Sequence, residues 1–351
     1  MDARRLRSDF DYRAPRWLPG AHLQTIWPAL YARRVAGLPL SYRRERWTTP
    51  DGDFVDVDYL NDRVPMGTPR PLLVVFHGLE GSSRSHYSEA FADQARERGW
   101  ACAMPHFRGC SGEINLAPRA YHSGDHAEIG WMLGRLRLAH RGPLMAVGVS
   151  LGGNALLRWA AEAGAVGARS ADAIAAVCAP LDLAAGGRAI GQGFNRQVYT
   201  RMFMRTLVPK ALQKLAQHPG LFDRQSLLAA RDLYAFDNVF TAPLHGYRNT
   251  DDYWRRASAK PLLHLVRVPA LALNALNDPF VPPASLPSAV EVGPCVQLWQ
   301  PAHGGHVGFA QGSPPGHVAA MPRAVADWLQ QRAVPHIPSS PGVDAAQSLH
   351  G

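Results

Sequence analysis

Short apolar runs and stretches of helical period take turns along most of the chain. Residues 71–76, PLLVVF, form a continuous apolar run of the kind buried on both faces of a parallel sheet, and 86–100 reads as a helix ending at Gly99. A short strand and glycine-containing loop over 101–112 follow, then a helix over 124–140 with Ile129, Met132, Leu133 and Leu136 along one face. At 145–160, MAVGVSLGGNALLRWA, the period changes at one residue. Met145 to Val149 is strand-like, whereas Leu151, Ala155, Leu156, Trp159 and Ala160 recur at helical spacing, with Ser150 on the hinge. Further strands are expected within 171–180, 268–278 and 295–300, and a closing helix over 321–333. This alternation implies a mostly parallel central sheet flanked by helices, with functional groups at the carboxyl ends of the strands.

Departures from the alternation mark the organisation. Residues 1–40 carry Trp and Leu between prolines and read as an arm packed on the domain surface. SYRRERW and FVDVDYL flank the turn TTPDGD and predict an antiparallel hairpin that begins the sheet. The α/β core then occupies 41–180 and 261–335, interrupted at 181–260 by a helical insertion expected to lie as a cap over the strand ends. Within that cap Phe194, Tyr199, Met202, Phe203 and Met204 are candidates to line an acyl pocket or to form the insertion's own core. The polar, proline-broken segment 336–351 reads as a disordered tail.

Composition narrows the class. A chain of 351 residues with 46% hydrophobic and 19% charged residues is globular and long enough for one large α/β domain with an insertion. No run of eighteen apolar residues and no hydrophobic leader is visible, so the expected location is the cytoplasm. Cys102, Cys110, Cys178 and Cys295 are scattered without a paired motif and read as reduced thiols. The net charge of +9 and the arginines crowding the beginning, Arg4 to Arg46, raise the question of an acidic partner. No finger, helix-turn-helix or aromatic-interleaved basic pattern accompanies them, so nucleic acid is set aside. Stable membrane insertion is set aside as well, which leaves loose contact with acidic lipid headgroups.

Candidate chemistry centres on the hinge. In GVSLGG, Gly148 and Gly152 stand two residues either side of Ser150, where a strand-to-helix elbow presses Cβ positions against backbone. Such a turn exposes the hydroxyl and aims the first amides of the helix at whatever it attacks. A serine hydroxyl needs a base held in the right tautomer by a carboxylate. Asp278 lies just past a buried strand in NDPFVP, and His306 lies on the glycine loop HGGHVGF, giving the chain order Ser, Asp, His. His303 is the competing base, expected instead to brace the loop; Asp237, Asp251 and Asp252 are competing acids but sit in the insertion. The pair His303 and His306 lacks the helical context and third ligand of a zinc site, so no metal is expected. The oxyanion donors are expected to be the amides of Leu79, in HGLEG, and Leu151, with His77 a structural residue bonding backbone.

HGLEGSSRSHY, FRGCSG, YHSGD, GVSLGGN, TAPLHGY, DDYWRRAS, NDPFVP and HGGHVGF, in this order from about Trp17 to Leu329, closely resemble the YheT-type, embryogenesis-associated branch of the α/β-hydrolases. The resemblance implies an α/β-hydrolase fold and a serine carboxylesterase-like enzyme with Ser150, Asp278 and His306 as its triad. The expected function is cofactor-free hydrolysis of a small-molecule carboxylic ester with a short or medium acyl chain. Acyl transfer by the same triad, and a non-catalytic lipid-binding protein of the same fold, are the alternatives.

Overall fold

The computed structural model describes residues 10–61 and 69–333. Its centre is an eight-stranded sheet in the order β1-β2-β4-β3-β5-β6-β7-β8. β1 (Tyr42–Thr48) and β2 (Phe54–Leu60) form the antiparallel hairpin at one edge, and β2 also runs antiparallel to β4 (Ala101–Pro105). β3 (Leu72–Phe76), β5 (Leu144–Val149), β6 (Ala173–Val177), β7 (Ala270–Leu273) and β8 (Val296–Trp299) continue as a parallel sheet from β4. Every residue of β3 and β5 is buried, because helices cover both faces. Helix α1 (Ala21–Leu30) lies in the arm; on one face of the sheet lie α3 (His126–Ala139) and α4 (Leu151–Ser170), contributing Ile129, Met132, Leu133, Leu156 and Trp159. On the other lie α2 (His86–Glu97) and the closing helix Ala320–Arg332, contributing Phe91, Val325 and Leu329.

β2 is buried along its whole length although it carries two aspartates. Register explains this: Arg44 stands opposite Asp58 and Arg46 opposite Asp56. Each arginine makes a two-pronged contact, at 2.7 and 2.9 Å to Asp58 and at 2.8 and 3.0 Å to Asp56. Arg34 likewise meets Glu89. Part of the basic cluster near the start is therefore spent on internal pairing, while Arg4, Arg5 and Arg7 lie outside the described residues, as does the tail reading for 336–351.

Between β6 and β7 the chain makes no strand. The helices Leu183–Ile190, Arg201–Gln217, Arg224–Ala229 and Thr250–Ala257, with π-helical turns at Arg196–Thr200 and Asp237–Thr241, form what we term the cap. Leu207, Ala211, Leu227, Phe236 and Phe240 give it a small core of its own. Among the described residues no helix is long and apolar enough to cross a membrane.

Candidate active site

The strand β5 ends at Val149 and α4 starts at Leu151, so Ser150 occupies the turn itself, with φ of 53°. That left-handed backbone is costly for a residue with a side chain and persists only where the surroundings enforce it. The glycines show how tight those surroundings are. A Cβ on Gly148 would stand 2.3 Å from the Gly152 carbonyl, and one on Gly152 would stand 2.5 Å from the carbonyl of His77. Only hydrogen fits at either place.

Asp278 and His306 arrive from loops beyond β7 and β8. His306 Nε2 lies 3.0 Å from Ser150 Oγ, and its Nδ1 lies 2.8 Å from Asp278 Oδ2. Asp278 Oδ1 accepts the Phe280 amide at 2.8 Å, and the Phe280 ring packs on the imidazole at 4.2 Å between centroids. The carboxylate side chain is fully buried and the imidazole nearly so. An acceptor on the Nδ1 side fixes the proton there, leaving the Nε2 lone pair towards the hydroxyl. His303, by contrast, is exposed and does not brace the loop. The bracing comes from the arm: Thr25 Oγ1 accepts the His306 amide at 2.9 Å, and Gln24 Oε1 accepts the amide of Gly304 at 3.0 Å and the side-chain amide of Asn277 at 2.9 Å. The arm thus does more than cover the surface, although its aromatics do not line the cavity beside Ser150; Trp17 and Trp27 donate instead to the carbonyls of Gly312 and Pro315.

The loop after β3 lies against Ser150, for a Cβ on Gly78 would be 3.2 Å from that of Ser150. Gly78 donates its amide to the Tyr87 hydroxyl and Glu80 donates its own to Tyr121, each at 2.8 Å. The amide between them, Leu79, has no acceptor among the described residues, and neither has that of Leu151 at the start of α4. His77 bonds backbone on both sides, Nδ1 to the Gly78 carbonyl at 2.7 Å and Nε2 to the Phe107 amide at 3.1 Å. Burial presses its pKa down to about 3, which keeps the ring neutral.

Three groups near this site have roles that the sequence pattern does not announce. Glu80 has φ of 56°; its carboxylate accepts the Tyr121 hydroxyl at 2.8 Å and the Lys210 ammonium at 2.9 Å, and Lys210 belongs to the cap. Asn154, wholly buried on α4, donates to the carbonyls of Ser123 and Ala257, both at 2.9 Å, and accepts the Ala259 amide at 3.0 Å. It ties α4, the helix that follows Ser150, to the returning end of the cap. Cys178, with φ of 50°, accepts the Val307 amide at 3.3 Å next to His306. Its sulfur, Asp278 and His306 offer ligand atoms within 4.8 Å of one another. Burial pushes that thiol well up, however, and the other two donors are engaged with each other, so the donor set suits a hydrogen-bonded network better than an ion.

A cavity of about 1160 Å³, open mouth included, leads from Ser150 and His306 under the cap. Leu79, Leu207, Ala211, Phe236 and Phe240 are among its apolar lining. Of the five cap residues singled out by sequence, Phe203 alone reaches it; Phe194 and Met202 are exposed, Tyr199 packs on Phe280, and Met204 joins the cap's own core.

Sheet order, elbow and cap are those of an α/β-hydrolase. Residues 71–313 match the model of the alpha/beta hydrolase fold family. The chain belongs to that family, within its YheT-type branch: it is 38% identical over 331 residues to the Escherichia coli (strain K12) protein described as "Putative esterase YheT", covering 93% of this chain and 95% of that one. It is also 28% identical to the mouse phospholipase ABHD3, covering 83% of this chain and 72% of that protein. Among solved structures, the esterase Pf2001 of Pyrococcus furiosus covers 87% of this chain and all of its own at 14% identity and a TM-score of 0.52, a likeness of fold.

Proposed function

We propose that the chain is a cofactor-free serine hydrolase of carboxylic esters with short or medium acyl groups. The observation that carries this reading is the hydrogen-bonded series from Ser150 Oγ through His306 to Asp278, with contacts of 3.0 and 2.8 Å, opening onto an apolar cavity. Ser150 Oγ attacks the ester carbonyl while His306 Nε2 takes its proton. The oxyanion is received by the amides of Leu79 and Leu151, neither of which has an acceptor among the described residues; each such donor contributes about 3 kcal/mol to lowering the barrier. His306 returns the proton to the departing alkoxide, leaving an acyl-enzyme. A water deprotonated by the same nitrogen then releases the acid and restores the serine. Asp278 stabilises the imidazolium formed in both halves and keeps Nδ1 protonated.

Ser150→Ala tests the reading. It is expected to abolish both turnover of p-nitrophenyl esters and labelling by a fluorophosphonate, with an unchanged circular-dichroism spectrum. Undiminished labelling of the variant would overturn the assignment of the nucleophile.

A further inference from the structure

The cavity wall carries five side chains that are charged at neutral pH, and four of them have their needs met within the protein. Arg108 is enclosed by Asp51, Asp53 and Glu128, Lys210 pairs with Glu80, and Lys214 donates to the carbonyls of Asn115 and Ala117 and to Gln217. Asp237 is the exception. Among the described residues it has no cation within salt-bridge distance, and what holds it is the Trp254 indole N–H at 2.9 Å, supported by the Thr241 hydroxyl. A carboxylate has about four acceptor sites, so roughly two stay free.

The local backbone sets this group deliberately. Asp237 opens the π-helical turn Asp237–Thr241, an irregularity that re-aims side chains and recurs at functional sites. Its partner Trp254 is seated against Gly187, where a Cβ would come within 2.3 Å of the indole, and meets the Tyr234 ring edge-on at 5.5 Å. The indole is thereby held with its N–H edge towards the carboxylate. Burial in this apolar setting raises the Asp237 carboxyl to about 6, the signature of an acid with too few donors. Accepting one indole N–H requires no charge; an asparagine oxygen would serve. A carboxylate with spare acceptor capacity on a cavity wall is suited to a donor that arrives with the ligand.

We propose that Asp237 is a specificity-determining residue that accepts a hydrogen bond from a hydroxyl group on the substrate chain filling this cavity, so that the enzyme selects hydroxylated esters over their plain alkyl counterparts. The inference rests on the ester-hydrolase reading above and adds the substrate's polar feature to it. A hydroxyl fits better than an ammonium. Trp254 offers Asp237 its N–H edge instead of the π-face an ammonium would seek.

The test uses two families of matched esters of graded length, with kcat/KM measured by pH-stat. Methyl esters of alkanoic acids are set against those of the ω-hydroxy acids, which places the hydroxyl on the acyl side. Alkyl butanoates are set against monobutanoates of diols, which places it on the alcohol side. At one length in one family the hydroxylated member is expected to be favoured about tenfold or more, the scale of a hydrogen bond to a charged group. Asp237→Leu should bring that ratio to near one. Asp237→Asn, which keeps the shape and an oxygen for Trp254, should lower it and carries the test if the leucine variant does not fold. The proposal is overturned by a flat ratio at every length in both families, by a ratio undiminished in Asp237→Asn, or by a stronger preference for ω-ammonium esters. Fluorophosphonate labelling keeps the two readings apart: a protein that labels at Ser150 and cleaves plain esters without regard to the hydroxyl defeats this inference alone, whereas one that neither labels nor cleaves defeats the reading beneath it.

Discussion

Core and cap treat buried carboxylates in opposite ways. In the core, Asp58 on β2 receives Arg44, His106 and Ser83; burial by itself would raise its carboxyl, but these bonds together hold it well below the usual carboxylate range. In the cap, burial dominates at Asp237 and lifts it to about 6. A core aspartate is thus satisfied before any ligand arrives, while the cap aspartate is left with capacity to spare. The same division appears around Ser150. Ser150, His306 and Asp278 are positioned by strand ends and by the arm residues Gln24 and Thr25, all outside the cap, whereas about half of the wall of the cavity that a chain of substrate would fill comes from the cap. The comparison teaches that this molecule separates the groups suited to reaction from those suited to selection.

The largest expected effect is on the reaction side. Asp278→Asn leaves a side chain of the same shape that can present its amide to Nδ1, stabilising the wrong tautomer of His306, so kcat should fall by about 10⁴-fold with KM little changed. A loss of under tenfold would mean that the imidazole is oriented by other groups and the comparison fails at its first term. Next comes a place where the two regions are joined across the cavity. Glu80 follows the proposed donor Leu79 and is held both by Tyr121 of the core and by Lys210 of the cap. If the pair are positioning residues for that loop, Tyr121→Phe and Lys210→Met should each lower kcat about tenfold at nearly constant KM, with Lys210→Arg restoring most of it. A change confined to KM would assign Lys210 to the cap's selecting role instead.

The smallest effect is on stability against pH, and its sign separates the two aspartates. Asp58 has a folded pKa below its unfolded one, so its contribution is present above the unfolded value near 4 and is lost as pH falls further. Asp237 has a folded pKa of about 6, above its unfolded value, so the folded state binds the extra proton and stability from this group rises as pH falls from about 6 towards 4. Denaturant titrations across that window should show the rise vanish in Asp237→Asn, whereas the acid-side loss should shrink in Asp58→Asn. Parallel behaviour of the two variants would erase the contrast.

The residues most legible beforehand are those whose role is announced by neighbours in the chain. Gly148, Ser150 and Gly152 form a local pattern, and the strands around them are apolar runs that could face only a covered sheet. Gln24, Thr25, Tyr121, Asn154 and Lys210 carried no such signal. Each acts on a partner 31 or more positions away, as in the 281 positions between Thr25 and His306, and a polar residue in an arm or on a cap helix is indistinguishable by spacing from one that faces water. His303 shows the converse, since proximity to His306 in the chain suggested a bracing role that the exposed ring does not fill.

By itself, then, the order of amino acids determined the alternation of strands and helices, the elbow at Ser150 and the candidate partners Asp278 and His306, because these depend on periodicity, on glycine's missing Cβ and on loops that follow apolar runs. Only the tertiary structure decided which histidine meets the hydroxyl, which arm residues hold its loop, and which acid on the cavity wall is left with no paired cation among the described residues. Those outcomes depend on distances between parts of the chain that meet only when the sheet has assembled, and on burial, which turns an ordinary carboxylate into one that lacks donors.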